Sequence, residues 1–574
     1  MLGKHFEKNF SIDSNAIDSE LRSRAEQTVN DLIENLDCVL HFNGSCNALN
    51  VKNSRAEGAE RFADVANIHL ILSRLNSKKS FGFDGISNFL LKHSSDIVCK
   101  HLTAIFNQCI NIGYFPNIWK LADVKPICKP NKPPSSCDSY RPIALLSNVS
   151  KVFEAFLLQQ LNLKIEESDN ILKPFQMGFR SSYSTMYPLV YFTDELSDAL
   201  NKKYGTIAIL LDVSKAFDTV YTTGLIYKMI KYGFDPYLIK VIYSFLQNRS
   251  FKVTCEEALS QVYKMTSCVP QGAILSPVLY NLFLSDFPLA IDSRVKTIAY
   301  ADDILIFGSF PVLKTGTEVM NSYLEVIHKY YSDWGVSINV NKCEAIKFRD
   351  PRNSYKNCRV YQPTFKIGDN TVPIKRKVKY LGVIFDERLE FGAHAARNLN
   401  LAKVAYFNWR LVLHKSRIKN IKIKKLIYTL AIRSHLSYAF PIWFNIAKLQ
   451  LSKIITFERR IFRRILNKGC YRRSDGEWRY FRNKYIYKKI KMPWFYGFCN
   501  RLGLKMINNL KFSDNIIIRN MFEKSNQVYG RKFSPRLYPF LNEKGIFDIG
   551  EDYLPYFNTL NDQQKLDLAY LLDG

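Results

Sequence analysis

The chain has 574 residues, 47% hydrophobic and 14% aromatic, which is too apolar for a disordered polypeptide and enough for roughly three or four globular units of about 150 residues. Lys and Arg number 81 against 52 Asp and Glu, a formal charge of +29, and an excess of that size favours a polyanionic partner through phosphate neutralisation. No apolar run approaches the about 18 residues of a spanning helix, so nucleic acid is preferred to a membrane.

Residues 1–64 are polar and carry no nameable motif, so they read as a linker or the remnant of a longer precursor. Their opening, MLGKHFEKNFSIDSNAIDSE, has neither the apolar core of a secretory signal nor the acid-poor composition of a mitochondrial presequence, and an intracellular protein is expected. The 12 cysteines form no CxxC pair and no Cys and His set at zinc-finger spacing, so reduced thiols, mostly in the core, are expected.

From Val65 the residues Val65, Ile68, Leu72 and Leu75 recur at helical spacing and predict the start of the ordered chain, a helix running into the basic turn SKKSFGFDGIS. A second helical stretch is predicted round Leu90 to Ile112. In VKPICKPNKPPSSCDSYRPIALLS, four prolines between Pro126 and Pro134 exclude a helix and predict an exposed, extended basic arm. Between Lys203 and Ile306 short β-rich runs alternate with helical segments, the pattern of an α/β or α+β catalytic unit.

Beyond about residue 387 helical patterning returns and acids become scarce: residues 401–500 hold 24 Lys and Arg but 3 Asp and Glu. Aromatic residues are interleaved there, as in WRYFRNKYIYKKIKMPWFYGF, a combination that can follow a phosphate backbone while stacking on bases or sugars. Residues 501–574 offer no reading.

The sharpest local signal is KTIAYADDILIF, which predicts two strands joined by a tight turn at Tyr300, Ala301, Asp302 and Asp303. An isolated Asp-Asp turn is usually only solvated. Two adjacent carboxylates repel, however, and a hard cation such as Mg²⁺ relieves that cost. Upstream, TIAILLDVSKAFDTV predicts a strand ending in Asp212 and passing into a helical segment, which supplies a further ligand position. Two-metal phosphoryl transfer needs such carboxylates bridging ions about 4 Å apart. Asp218, inside the expected helical continuation, reads as a structural or capping acid.

LLDVSKAFDTV, CVPQGAILSPVLYNLFLSDFP and YADDILIF, in that order, resemble motifs A, B and C of reverse transcriptases. SKKSFGFDGIS, YRPIALLSNVSKVFEAFL, QMGFRSSYST, INVNKCEAIKF and VKYLGVIFD resemble the remaining blocks of non-LTR, jockey-like retrotransposon polymerases, over roughly residues 65–470. The resemblance implies an α+β right-hand polymerase of fingers, palm and thumb, with an antiparallel palm sheet and a mainly helical basic C-terminal region. Its units would be the reverse transcriptase domain over 65–386, with motif D and the primer grip at its end, a thumb-like region over 387–500 and a C-terminal region over 501–574.

By that resemblance, Asp212, Asp302 and Asp303 would be the catalytic acids and hold two Mg²⁺ ions, for which Mn²⁺ can substitute. Phe217 would be the steric gate that excludes a 2′-OH and selects dNTPs, although composition alone would make it an ordinary buried Phe. Gln271 and Gly272 would lie beneath the template and incoming nucleotide. Arg141 and Lys129 would clamp the triphosphate, Lys129 being equally compatible with a solvated surface charge. Lys342 would be a general acid toward pyrophosphate. Tyr300, Ala301, Leu381 and Gly382 would position the primer.

The implied reaction is RNA-directed DNA synthesis from a 3′-OH primer, with an RNA template, a DNA primer or target DNA, and dNTPs as partners. A nuclear location with a cytoplasmic ribonucleoprotein stage follows from such an element's life cycle. Phe81 stands where the family commonly has Pro, and Ala273 and Ser276 where it has Ser and Gly. No endonuclease, ribonuclease H acid cluster or CCHC knuckle is recognisable, so the nick is expected from an endonuclease supplied separately. The alternative is a truncated copy that binds nucleic acid without polymerising.

Overall fold

Leu2, Phe6 and Phe10, and then Ala25, Val29 and Leu36, fall at roughly helical spacing, and the N-terminal stretch is folded where a linker was expected. In the computed structural model, helices Leu2–Asn9 and Ser19–Asn43 bury Phe6, Phe10, Ala25 and Val29. Phe10 meets Phe251 edge-on at 5.2 Å, and its carbonyl accepts from the backbone N–H groups of Thr266 and Ser267. Burying each such ring is worth about 2 kcal/mol, enough to dock a short helix whose polar residues dominate its composition. The ordered chain therefore begins well before Val65. The structure describes residues 1–526 apart from 12–15, 44–61, 131, 169–170, 257, 349–360, 415–419, 445, 468, 473, 475–476, 512 and 514, so most of 501–574 lies outside the described residues.

The proline-rich arm is extended, as its prolines require, and pairs as β1 (Leu121–Cys128) with β2 (Tyr140–Leu145). After β3 (Gly205–Asp212), the chain adds β4 (Arg249–Cys255), β5 (Ala258–Leu259) and β6 (Tyr263–Met265) to that first sheet. β1 and β4 run parallel, with helices Thr222–Lys231 and Pro236–Leu246 preceding β4 in the chain.

The second sheet is antiparallel throughout, in the order β7 (Val295–Tyr300), β8 (Asp303–Phe310), β3, β9 (Glu344–Phe348). β3 is apolar on both faces because it is the wall between two cores. Ile207, Ile209 and Leu211 face the core shared with the first sheet and the N-terminal helices, whereas Ala208 faces a core built with helix Met186–Asn201 and the C-terminal helices. β8 divides its side chains likewise, Ile304 and Ile306 to one side, Leu305 and Phe307 to the other. The two-residue period of a strand does this without any bulge. Antiparallel pairing sets the end of β3 beside the start of β8, where the acids lie.

Three ribbons follow: β10 (Phe365–Ile367) with β11 (Asn370–Val372), β12 (Lys377–Tyr380) with β13 (Val383–Asp386), and β14 (Cys470–Arg472) with β15 (Trp478–Tyr480). Helices Gly392–Leu413, Ile421–Ile427, Lys448–Ile465 and Asn483–Ile490 carry the basic region. It buries an ion pair, Arg433 with Glu458 at 3.3 Å, where Tyr428 and Tyr487 also donate to the carboxylate, and it buries Lys424, whose Nζ donates to His414 O at 2.6 Å. Among the described residues no helix is long and apolar enough to cross a membrane, and the nine described cysteines are all free.

Candidate active site

The strand ladder itself assembles the acids. Asp212 is the last residue of β3 and pairs in register with Asp303, the first of β8, while Asp303 also pairs with Tyr300 at the end of β7. Ala301 and Asp302 are thus the two residues of the hairpin turn, and Ala301 takes φ 59, a conformation costly for a side chain other than glycine. Three carboxylates share one sheet edge. Desolvation, followed by the charges of Asp302 and Asp212, pushes Asp303 up to about 6, even though the residue keeps an exposed surface. Among the described residues no group of three His, Cys, Asp or Glu is drawn close enough to hold a metal as it stands. The donor set, carboxylate oxygens that repel one another, still fits a hard divalent cation.

The segment Ser337–Cys343 bolts the end of β3. Ser214 N–H donates to Ser337 O, Asn339 N–H to Asp212 O at 2.9 Å, and Asp212 N–H to Cys343 Sγ at 3.4 Å. Lys342 Nζ consequently stands 3.3 Å from Asp212 Oδ2. Lys129 is held by the carbonyls of its own loop, Nζ donating to Asp138 O at 2.7 Å. Desolvation, then Lys342 and Arg141, pull its ammonium below the ordinary lysine value, so these three cations are electrostatic neighbours. Arg141 itself is exposed on β2.

Past Asp212 the expected helical continuation is a run of tight turns, and the helix begins only at Thr222. Lys215 takes φ 49 there, which tightens the chain and lets Phe217 and Asp218 face the loop 269–274. Phe217 is half-buried, stacked on Tyr280 with centroids 4.7 Å apart and edge-on to Phe179 at 5.9 Å. Val269 N–H donates to Phe217 O, and Gln271 Nε2 donates to Asp218 Oδ1 at 2.7 Å. Gly272 has φ 110, and a Cβ there would lie 2.6 Å from Ala144 O, so both its conformation and its close approach require glycine. Ser276, a departure from the family pattern, closes this loop by donating to Pro270 O at 2.7 Å.

The reverse transcriptase (RNA-dependent DNA polymerase) family matches residues 127–385, a span that contains all of these residues. The RNA-directed DNA polymerase from mobile element jockey of Drosophila funebris is 31% identical over 432 residues, covering 74% of this chain and 45% of that one. Its counterpart in Drosophila melanogaster is 30% identical over 460 residues, covering 79% and 48%, and the probable polymerase of transposon BS is 29% identical over 70% and 44%. Residues 127–385 form a reverse transcriptase domain, similar to those of jockey-like non-LTR elements. The chain spans just under half the length of these relatives. A structure of apo telomerase from Candida tropicalis aligns with a TM-score of 0.34 at 12% identity, over 64% of this chain and 66% of that one.

Two features of the site were not legible in the sequence. The first is a clamp on the acidic turn. Phe175 and Met177 exchange backbone hydrogen bonds with Ala299, Gln176 Nε2 donates to Asn281 O, and Asn281 Nδ2 donates to Gly178 O, both at 2.9 Å. A Cβ on Gly178 would fall 2.2 Å from Ala301 N, so the glycine of QMGF lets one chain segment lie directly on the turn. The polar Asn281 inside the apolar helix Ser276–Phe283 was the available signal.

The second is Tyr438. Leu381 and Gly382 form the β12–β13 turn with φ 42 and 82. Tyr438 Oη donates to Leu381 O at 2.6 Å and Arg397 Nη1 to Gly382 O at 3.1 Å, fixing this turn from the helical region. Tyr438 is also an electrostatic neighbour of Tyr300, the strand residue just before the acidic turn. No short-range pattern marks it.

Proposed function

We propose that this chain is the RNA-directed DNA polymerase of a non-LTR retrotransposon, extending a 3′-OH primer on an RNA template with dNTPs. The observation that carries the reading is the register pair Asp212 and Asp303 with Asp302 in the adjoining turn, three acids that the sheet brings to one edge. Asp212, Asp302 and Asp303 would hold two Mg²⁺ ions, with Mn²⁺ able to substitute. Such ions, when bound, activate the 3′-oxygen and stabilise charge on the leaving pyrophosphate.

The remaining roles belong to the chain's own groups. Phe217, braced by Tyr280 and Phe179, presents a rigid ring that a 2′-OH would strike. Gln271 and Gly272 form the floor under the nucleotide, and Gly272 lets the backbone approach it closely. Arg141 and Lys129 hold triphosphate oxygens, the first bidentately, the second as a point charge. Lys342, whose Nζ lies beside Asp212, would give a proton to pyrophosphate. Tyr300, Ala301, Leu381 and Gly382 position the primer end, the last two from a turn that Tyr438 holds. The basic region takes the template–primer duplex, and the site of action is the nucleus, after a cytoplasmic ribonucleoprotein stage.

Primer extension on an RNA template, comparing the native chain with Asp302→Asn, tests the reading. Divalent-cation-dependent DNA synthesis that the substitution abolishes is expected. Equal activity in both proteins would overturn the metal site, and salt-sensitive RNA binding with no extension would favour a binding-only chain.

A further inference from the structure

Asp218 is 4% exposed and faces the glutamine loop. The backbone of that loop is restrained at several points. Ala144 N–H donates to Gln271 O, Ile274 N–H donates to the buried carboxylate of Glu154 at 2.7 Å, and Ser276 closes the loop onto Pro270. Asp218 is itself fixed, its N–H donating to Lys215 O and its carbonyl accepting from Ser267 Oγ at 3.0 Å. What remains free is rotation of the Gln271 carboxamide, whose two ends differ chemically but hardly in shape.

An ionised carboxylate only accepts hydrogen bonds, so the amide it touches must turn its NH₂ inward and its oxygen outward. We propose that Asp218 is a positioning residue that selects one of the two orientations of Gln271 and so presents Oε1, an acceptor, to a hydrogen-bond donor on the incoming nucleotide. The inference rests on the nucleotide site proposed above. Burial pushes Asp218 up to about 6 against the opposing effects of Gln271, Lys215 and Lys129, which leaves it ionised at neutral pH.

Asp218→Asn tests this, because an amide of the same shape can pair with Gln271 in either sense and no longer dictates its orientation. The measurement is equilibrium binding of the next correct dNTP to the full chain on an RNA template with a 3′-dideoxy-terminated DNA primer, which needs no turnover. We expect Asp218→Asn to weaken dNTP binding about 2-fold, the cost of halving the correctly oriented population, and to have no further effect in a Gln271→Ala background. An unchanged affinity in the native background, or equal losses in both backgrounds, would overturn the proposal. Thermal unfolding of each variant separates a folding defect, which would lower Tm and weaken binding in both backgrounds. A native chain that binds dNTP but does not extend an unblocked primer would sink the polymerase reading while leaving this test intact.

Discussion

Asp212 and Asp303 are the terminal register pair of the β3–β8 ladder, so two like charges are set opposite each other by backbone hydrogen bonding alone. Like charges directly across a ladder are destabilising. The sheet carries that cost at one edge only, where a cation can offset it.

A pH dependence follows from this pair. Asp303 in the metal-free fold titrates at about 6 instead of 3.8, so the folded state holds this proton more tightly than the unfolded chain. Stability of the metal-free protein should therefore fall as pH rises from about 3.8 through 6, and Mg²⁺ should restore it above 6. Below about 6 protons compete with the cation. Thermal shift against Mg²⁺ concentration should show markedly weaker binding at pH 5.5 than at pH 7.5; a pH-independent midpoint would remove Asp303 from the ligand set.

Phe217→Val should admit ribonucleotides. The ring is held between Tyr280 and Phe179, so it cannot swing aside for a 2′-OH, and shortening it opens that space. Discrimination between dNTP and rNTP, as the ratio of kcat/KM values, should fall on the order of tenfold or more, the scale of a lost steric contact of 1–3 kcal/mol. An unchanged ratio would make Phe217 a packing residue.

Gly178→Ala should damage activity without unfolding the chain. Its Cβ would fall 2.2 Å from Ala301 N, a backbone atom that cannot yield without moving the turn bearing Asp302. A displacement of about 1 Å at reacting groups costs on the order of 100-fold. Extension rates should drop on that scale while far-UV circular dichroism stays native; near-native rates would show that the turn tolerates the shift.

His394 makes the helical region acid-sensitive. Buried at the start of helix Gly392–Leu413 and edge-on to Trp443 at 5.7 Å, its imidazole is pulled down to about 4 by desolvation. The unfolded chain thus takes up the proton first, and stability is lost as pH falls from about 6.5 toward 4, by up to about 3 kcal/mol. Urea unfolding followed by Trp fluorescence should show this slope in the native protein and a shallower one in His394→Asn.

Much of the site was legible because its determinants are local. A run such as TIAILLD can only be a doubly buried strand, and YADD between two apolar runs can only be a turn, so Asp212, Asp302 and Asp303 were readable one element at a time. The N-terminal helices were misread for the opposite reason. Leu2, Phe6 and Phe10 are too few to outweigh the polar residues around them, and only the surface they dock on, Phe251 and the loop at Thr266 and Ser267, explains their burial.

The sequence by itself determined which residues end strands, which turn is acidic and where positive charge accumulates, because each of these depends on neighbours within a few positions. Tertiary structure decided the partners. That Gly178 and Asn281 clamp the acidic turn, that Tyr438 holds a turn more than 50 residues away from it in the chain, and that Asp218 faces Gln271 are contacts between distant segments. Hydrogen bonds of this kind leave no periodic trace, since any polar residue of the right reach could serve, and only the closed fold selects the ones that do.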